Sequence, residues 1–271
     1  MKTARIYYDT EFLEGTQTRR ILGVPFGQTK PTIDLISIGM VNQTGEEYYA
    51  ISKDFNLKEA WNRYDIKTEV MSGDARNLFP DGKKTKVYWI RENVLKPIWK
   101  EMVKQHNEKV TRLSLTMNHK DERLFTYKNM KSLIKSYGKS NKEISSEVIE
   151  FCSTEEVVIG NPYDVIVRTK RTKHNKEIEL YGYYSAYDHV ALCWLFGKMI
   201  DLPPGMPMYT KDLKQELDNL AKKESDIDGI DFNKTLEGIK KNPHYPKQSN
   251  AHSAIHDAKW NKQLHEFLNN L

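Results

Sequence analysis

Asp9 and Glu11 stand two residues apart at the end of the first strand-like run, RIYYDT. Side chains alternate across a strand, so both carboxylates point to one face. Two aligned carboxylates beside an apolar core make half of a divalent-metal site, because hard cations take oxygen ligands. A lone acid-x-acid pair is common on protein surfaces, but here apolar and aromatic residues surround it in IYYDTEF. Asp188 follows the strand-like YGYYSAY and opens the helical run DHVALCWLFG. Taken alone it reads as a helix-start acid, which the helix dipole favours. Near the C-terminus His252 precedes Asp257 by five residues in AHSAIHDA. Taken alone, that segment reads as an exposed polar face at the start of the last helix, with His256 as the surface partner of His252.

The elements that must position these residues are legible in outline. Arg5–Thr10 reads as a strand, and a polar, glycine-containing connection follows over Gly15–Thr32. Ile33–Val41 and Glu47–Ser52 are β-rich runs separated by a short turn at Asn42–Gly45, which predicts an antiparallel hairpin. A helix is expected around Leu57–Tyr64, then a Gly/Pro-punctuated stretch to Lys86. Helical periodicity covers Glu92–Gln105, with Pro97 near its first turns, and Ser145–Cys152 predicts a short helix. Tyr163–Thr169 and Glu177–Tyr184 have strand character around the basic tip KRTKHNK, the pattern of a protruding hairpin. Helices are predicted over Asp188–Ile200, Asp212–Lys222 and Ala251–Leu268, with an acidic loop at Glu224–Asp231. Strands first, then helices bracketing a later strand, imply an α/β or α+β sheet with helices on its faces.

Composition narrows the class. Charged residues are 29% and mean hydropathy is −0.71, yet 15 Tyr, 9 Phe and 5 Trp supply a core, which excludes wholesale disorder. No stretch approaches the 18 or so apolar residues of a membrane span. The N-terminus lacks the apolar run of a signal peptide. Cys152 and Cys193 have neither metal-ligand spacing nor a disulfide framework, and both sit in apolar runs. The expectation is a soluble, cytoplasmic protein of a reducing compartment, with no membrane partner. The net charge of +5 hides a segregated block: residues 96–142 hold twelve Lys and Arg against four acids, so that block is +8 and the remainder −3. A charge run alone reads as a solvated helical surface; beside other signs of nucleic acid it reads as a polyanion-binding face.

Together, acid-x-acid on the first strand, an acid opening a middle helix and H-x-x-x-x-D near the last helix resemble the DEDD superfamily of 3′→5′ exonucleases. The histidine five residues before the last acid marks the DEDDh subgroup. The other subgroup carries a tyrosine four before that acid, where this sequence has Ser253. Longer segments, YYDTEFLEG, IDLISIGMV with EEYYAIS, YGYYSAYDHVALCWLFGKMIDLP followed by MPMYTKDLKQ, and NAHSAIHDA, look like the polyadenylate-specific exoribonuclease AS family. That family is similar to oligoribonuclease and ribonuclease T. The resemblance covers roughly residues 5–52 and 180–265, with no match over 65–145 or 161–178. It implies an α/β ribonuclease H-like fold, a mixed central sheet of about five strands flanked by helices, in a single exonuclease domain with insertions at about 65–145 and 161–178.

The resemblance also assigns roles. Asp9, Glu11, Asp188 and Asp257 become ligands of two Mg²⁺ or Mn²⁺ ions, and His252 the general base. Phosphodiester hydrolysis builds charge on attacking and leaving oxygens, which two divalent cations can stabilise. An imidazole, with an ordinary pKa near 6.5, suits proton abstraction close to neutral pH. Phe12 and Leu13 follow Glu11 and could pack against the terminal base or sugar; the competing reading puts Phe12 in the core. Lys170, Arg171 and Lys173, with Arg168, offer a surface for tracking a phosphate backbone. The expected partner is single-stranded, A-rich RNA, and the resembled family forms homodimers. Rival readings are a 3′→5′ DNA exonuclease with the same metals and base, a nucleic-acid-binding module with a degenerate site, and a partner-binding protein whose basic block does the work.

Overall fold

The structure, a computed structural model, describes residues 3–70, 81–113, 124–153 and 177–271. The chain divides into two compact units. The first comprises Met1–Phe12, Ile33–Asp54 and Lys139–Leu271, the second Leu13–Thr32 and Phe55–Gly138.

The first unit is built on a mixed five-stranded sheet with helices on its faces. Its strands are β1 (Ala4–Gly15), β4 (Thr32–Asn42), β5 (Glu47–Ile51), β8 (Ile178–Gly182) and β9 (Lys211–Asp212), in the order β5-β4-β1-β8-β9. β1 lies in the middle and pairs in parallel with β8, from Ala4 opposite Ile178 to Tyr7 opposite Tyr181. β8 pairs in parallel with β9, and β4 pairs antiparallel with β5, as the short Asn42–Gly45 turn predicts. Central strands covered on both faces carry continuous apolar runs, and that is how Ile6–Tyr8 and Leu35–Val41 read. Ile6, Tyr8, Ile38 and Met40 pack with Ile144 and Val148 of a helix over Asn141–Cys152, and with Ala191 and Leu192 of a helix over Ala186–Trp194. Tyr7 and Tyr181 pack instead with helices over Leu213–Asp228, Phe232–Lys240 and Ala254–Leu268, through Leu217, Ile239, Trp260 and Leu264.

The second unit contains two antiparallel hairpins, β2 (Thr18–Ile21) with β3 (Val24–Gln28) and β6 (Asp65–Glu69) with β7 (Lys83–Val87). Its helices among the described residues are α1 (Leu57–Asn62), α2 (Lys96–Leu113) and α3 (Tyr127–Tyr137). In the first unit, Asn141–Cys152 is α4 and Ala186–Trp194 is α5. Leu213–Asp228, Phe232–Lys240 and Ala254–Leu268 are α6, α7 and α8. A π-helical turn at Arg91–Leu95 precedes α2. Pro97 explains its place: a proline ring clashes with the carbonyl four residues earlier in a regular helix, and a wider turn relieves that contact.

Several elements differ from expectation. Gly15–Thr32 is not a plain connection but holds the β2–β3 hairpin, whose nearly complete exposure leaves no alternating apolar pattern to read. The stretch to Lys86 contains β6 and β7, also wholly exposed. α5 stops at Trp194 rather than Ile200, and a 3₁₀ turn over Met199–Asp201 follows Gly197, whose φ is +113°. α6 runs through most of the expected acidic loop to Asp228, because Gly229 in the left-handed conformation ends it, not the charge. α7 is a helix that the sequence pattern does not predict, and α8 begins at Ala254, three residues late. Tyr163–Thr169 and the tip with Lys170, Arg171 and Lys173 lie outside the described residues. Among the described residues, no helix is long and apolar enough to cross a membrane, and Cys152 and Cys193 are buried free thiols.

Candidate metal centre

The acids of β1 and α8 meet. Asp9, Glu11 and Asp257 each offer an oxygen, and these atoms all lie within 4.8 Å of one another. Asp9 and Glu11 share the strand parity of Tyr7, whose ring belongs to the cluster containing Trp260 and Leu264 of α8. Strand alternation therefore aims both carboxylates toward that helix. Asn261 of α8 ties the two elements further, donating its Nδ2–H to the Tyr8 carbonyl at 3.0 Å. Glu11 and Asp257 are buried, and Asp9 is half-buried.

Asp188 belongs to the same electrostatic group but is held differently. Its Oδ1 accepts the Thr10 N–H at 2.8 Å and the Thr10 hydroxyl at 2.6 Å. Thr10 has the parity of Ile6 and Tyr8, and α5 packs in their cluster. Asp188 is buried in the first turn of α5, near the positive end of that helix. It is not one of the three whose oxygens cluster within 4.8 Å.

Asp257 is fixed on both oxygens. Gln248 donates its Nε2–H to Oδ1 at 2.6 Å, and the main-chain N–H of His252 donates to Oδ2 at 2.9 Å. His252 is exposed and lies before α8, not on it, with φ +65°. A non-glycine residue in that left-handed region is uncommon and is retained where surrounding contacts impose it. Asn250, two residues earlier, is also left-handed, with φ +54°. His256 is occupied locally, its Nδ1 2.9 Å from the Ser253 hydroxyl.

The electrostatics follow from burial and crowding. Burial, then the charges of Asp188, Glu11 and Asp257, holds Asp9 well above the usual carboxylate range. Glu11 is pushed up to about 8 by burial first, then by Asp257 and Asp188. Asp188 rises to about 6 through burial, which the two Thr10 hydrogen bonds offset in part. Asp257 is raised by burial against the opposing bonds from Gln248 and His252. Each acid therefore resists ionisation until a cation compensates it. Clustered hard oxygens with raised proton affinity are the donor set that a divalent cation such as Mg²⁺ or Mn²⁺ takes.

The aromatic flank pairs Phe12 with Tyr187. Their rings meet edge to face, with centroids 5.8 Å apart and planes at 77°. Phe12 is half-buried and Tyr187 is 50% exposed, so the pair presents a ring to solvent beside Glu11 and Asp188 in the chain. Leu13 is fully buried, so its side chain offers no surface to a base or sugar. Sequence reasoning missed Thr10, Gln248 and Tyr187. Tyr187 had a signal, an aromatic next to Asp188; Gln248 had none, lying in an irregular polar loop.

Among known proteins, the chain is 25% identical over 211 residues to each of two proteins of Mycobacterium tuberculosis, from strains CDC 1551 / Oshkosh and ATCC 25618 / H37Rv. Both are named 3′-5′ exoribonuclease, and the alignment covers 78% of this chain and 72% of each relative. No protein-family model matches the chain.

Proposed function

We propose that this chain is a metal-dependent 3′→5′ exoribonuclease of the DEDDh type on a ribonuclease H-like fold, releasing nucleoside 5′-monophosphates from single-stranded RNA. The observation that carries it is the meeting of Asp9, Glu11 and Asp257 within 4.8 Å, in a chain distantly related to two proteins named 3′-5′ exoribonuclease. In this reading Asp9, Glu11, Asp257 and Asp188 hold two divalent ions, Mg²⁺ or Mn²⁺. Bound there, such ions neutralise charge developing on the phosphoryl oxygens and lower the pKa of water.

The chain's own residues do the rest. His252 takes the proton from the attacking water. Gln248 and the His252 N–H keep the Asp257 carboxylate oriented, and Thr10 does the same for Asp188. Phe12 and Tyr187 form the platform for the terminal base, a contact that every base can make through its π-face. Main-chain groups beside Glu11 bond the terminal 3′ and 2′ hydroxyls, which favours RNA over DNA. Leu13, fully buried, has no part in the base contact. Lys170, Arg171 and Lys173 track the backbone of longer RNA.

The test uses 5′-labelled, A-tailed single-stranded RNA with Mg²⁺, beside matched DNA and the His252→Ala variant. The expected result is a ladder shortening from the 3′ end, weak on DNA. His252→Ala lowers the rate by roughly 10²–10⁴-fold, the contribution usual for a general base. A ladder on DNA alone makes it a DNA exonuclease. RNA binding without any ladder makes it a binding module with a degenerate site.

A further inference from the structure

The β2–β3 hairpin exposes what a folded ribbon ordinarily covers. Ile21 is 59% exposed, Val24 and Phe26 are each 65%, and Leu22 at the tip is fully exposed. Ile21 pairs with Val24 across a two-residue turn in which Leu22 has φ +49° and Gly23 φ +86°. That turn geometry favours Asn-Gly, so a leucine held left-handed and bare in water is unfavourable locally. A two-stranded ribbon is marginal by itself. Here it is anchored to the rest of its unit. Arg63 donates to the carbonyls of Glu14 and Thr16, and Glu59 accepts the Thr18 N–H at 3.3 Å. The hairpin is therefore presented by its unit, not merely tolerated.

Between the hairpin and α1 runs an open groove of about 650 Å³, lined among others by Arg19, Arg20, Ile21, Phe26, Lys58 and Glu59. Its size falls within the range of about 300–1,000 Å³ usual for ligand clefts. The Glu59 carboxylate is balanced, 3.4 Å from Arg63. Among the described residues, no acid forms an ion pair with Arg19, Arg20 or Lys58, and all three are exposed. The unit as a whole is basic: Leu13–Thr32 and Phe55–Gly138 contain 21 Lys and Arg against 11 Asp and Glu, a net +10.

We infer that this groove binds single-stranded RNA, with Arg19, Arg20 and Lys58 on successive phosphates and Phe26 stacked under a base. The identity of the strand as RNA rests on the exoribonuclease reading. Cations that form no ion pair among the described residues, Arg20 donating to the Gly23 carbonyl at 3.3 Å, stand beside an exposed ring and supply the two elements of single-strand recognition, backbone neutralisation and sequence-tolerant stacking. A bilayer surface would also attract cations beside apolar residues. It is flat, however, and these cations line a concavity, which a threaded strand can enter and a membrane plane cannot.

The test is fluorescence polarisation of a labelled single-stranded RNA of about 15 nucleotides, near the upper end of known site sizes. It is run in EDTA so that binding is read without turnover, at salt from about 50 to 200 mM. The triple variant Arg19→Ala/Arg20→Ala/Lys58→Ala is expected to bind at least ~10-fold more weakly at the lower salt, with the log–log salt slope reduced by about 2. Phe26→Ala is expected to weaken binding about 5- to 150-fold and leave that slope in place. Lys240→Ala, on an exposed face of α7, keeps the parent's affinity. Parent-like affinity and slope in both groove variants would overturn the inference. So would binding of the parent to phosphatidylserine/phosphatidylcholine vesicles, lost in these variants, with no change in RNA affinity. The parent is also incubated with the RNA and Mg²⁺. If it fails to shorten RNA while the groove variants lose binding, the groove stands and the exoribonuclease reading falls.

Discussion

A carboxylate buried among other carboxylates must hold a proton or face a cation, and this choice makes the site measurable before any substrate is found. Glu11 is pushed up to about 8 and Asp9 is also raised, from ordinary values near 4, so the folded state binds protons more tightly than the unfolded one. Their protonation supports the fold fully below about pH 4, and this support is lost as pH rises through about 8. Metal-free protein in EDTA should therefore melt lower at pH 8.5 than at pH 5.5. Saturating Mg²⁺ or Mn²⁺ should raise the melting temperature by roughly 5–10 °C at the higher pH and by less at the lower, where protons compete for the same oxygens. Melting unchanged by both metals at pH 8.5 would remove the ligand assignment. Asp9→Asn tests the same crowding from the other side. It should raise metal-free melting at pH 8.5 while lowering turnover by roughly 10²-fold or more, since a ligand's share of several kcal/mol is lost. At this scale the sequence showed Asp9 and Glu11 through strand parity, a local rule. Thr10 and Gln248 were invisible because their partners lie 178 and 9 residues away with no periodicity linking them.

Elements with a buried face were mostly readable, the short α7 excepted although Ile239 packs into the core, and those with no buried face were not. β1, β4, β5 and α8 stand near their expected positions because each packs against a core cluster. β2, β3, β6 and β7 are exposed almost throughout, so no apolar alternation marked them. The contact that places Asp257 was hidden in a single glycine. Gly39 of β4 lies so close to the start of α8 that a Cβ there would stand 2.3 Å from the Ala254 carbonyl carbon and the Ile255 nitrogen. These are backbone atoms, so neither can swing aside, and one methyl must displace the helix. Gly39→Ala is expected to destabilise the protein by about 1–3 kcal/mol or more, the usual scale of overpacking. It should also shrink the stabilisation by Mg²⁺, because Asp257 moves with its helix. Thermal melting with and without metal reads both effects. A variant that melts like the parent and keeps its full response to Mg²⁺ would show that α8 is not positioned through this contact.

Charge divides the molecule along the line between its two units. The unit carrying the acids is −5 overall and the other is +10, within a chain whose total is only +5. A phosphodiester is repelled by the acidic unit unless divalent ions compensate it, so if the chain acts on RNA as proposed, capture of the strand falls to the basic unit. Long-range attraction of this kind acts on encounter and binding far more than on the chemical step, and salt screens it. Lys128, Lys131 and Lys135 lie exposed at i, i+3 and i+7 along α3 while Met130, Leu133 and Ile134 face inward. A charge run is ordinarily only a solvated helix face, and sequence could not choose between that and a binding face. Salt dependence can. If the face binds RNA, replacing all three lysines with alanine should raise KM severalfold at low salt and change kcat less. It should also lower the slope of log affinity against log salt by about 2, since each neutralised phosphate of a single strand contributes about 0.7 to that slope. An unchanged slope would return this stripe to the role of a solvated surface, and the capture of RNA would then rest on the remaining cations of the basic unit.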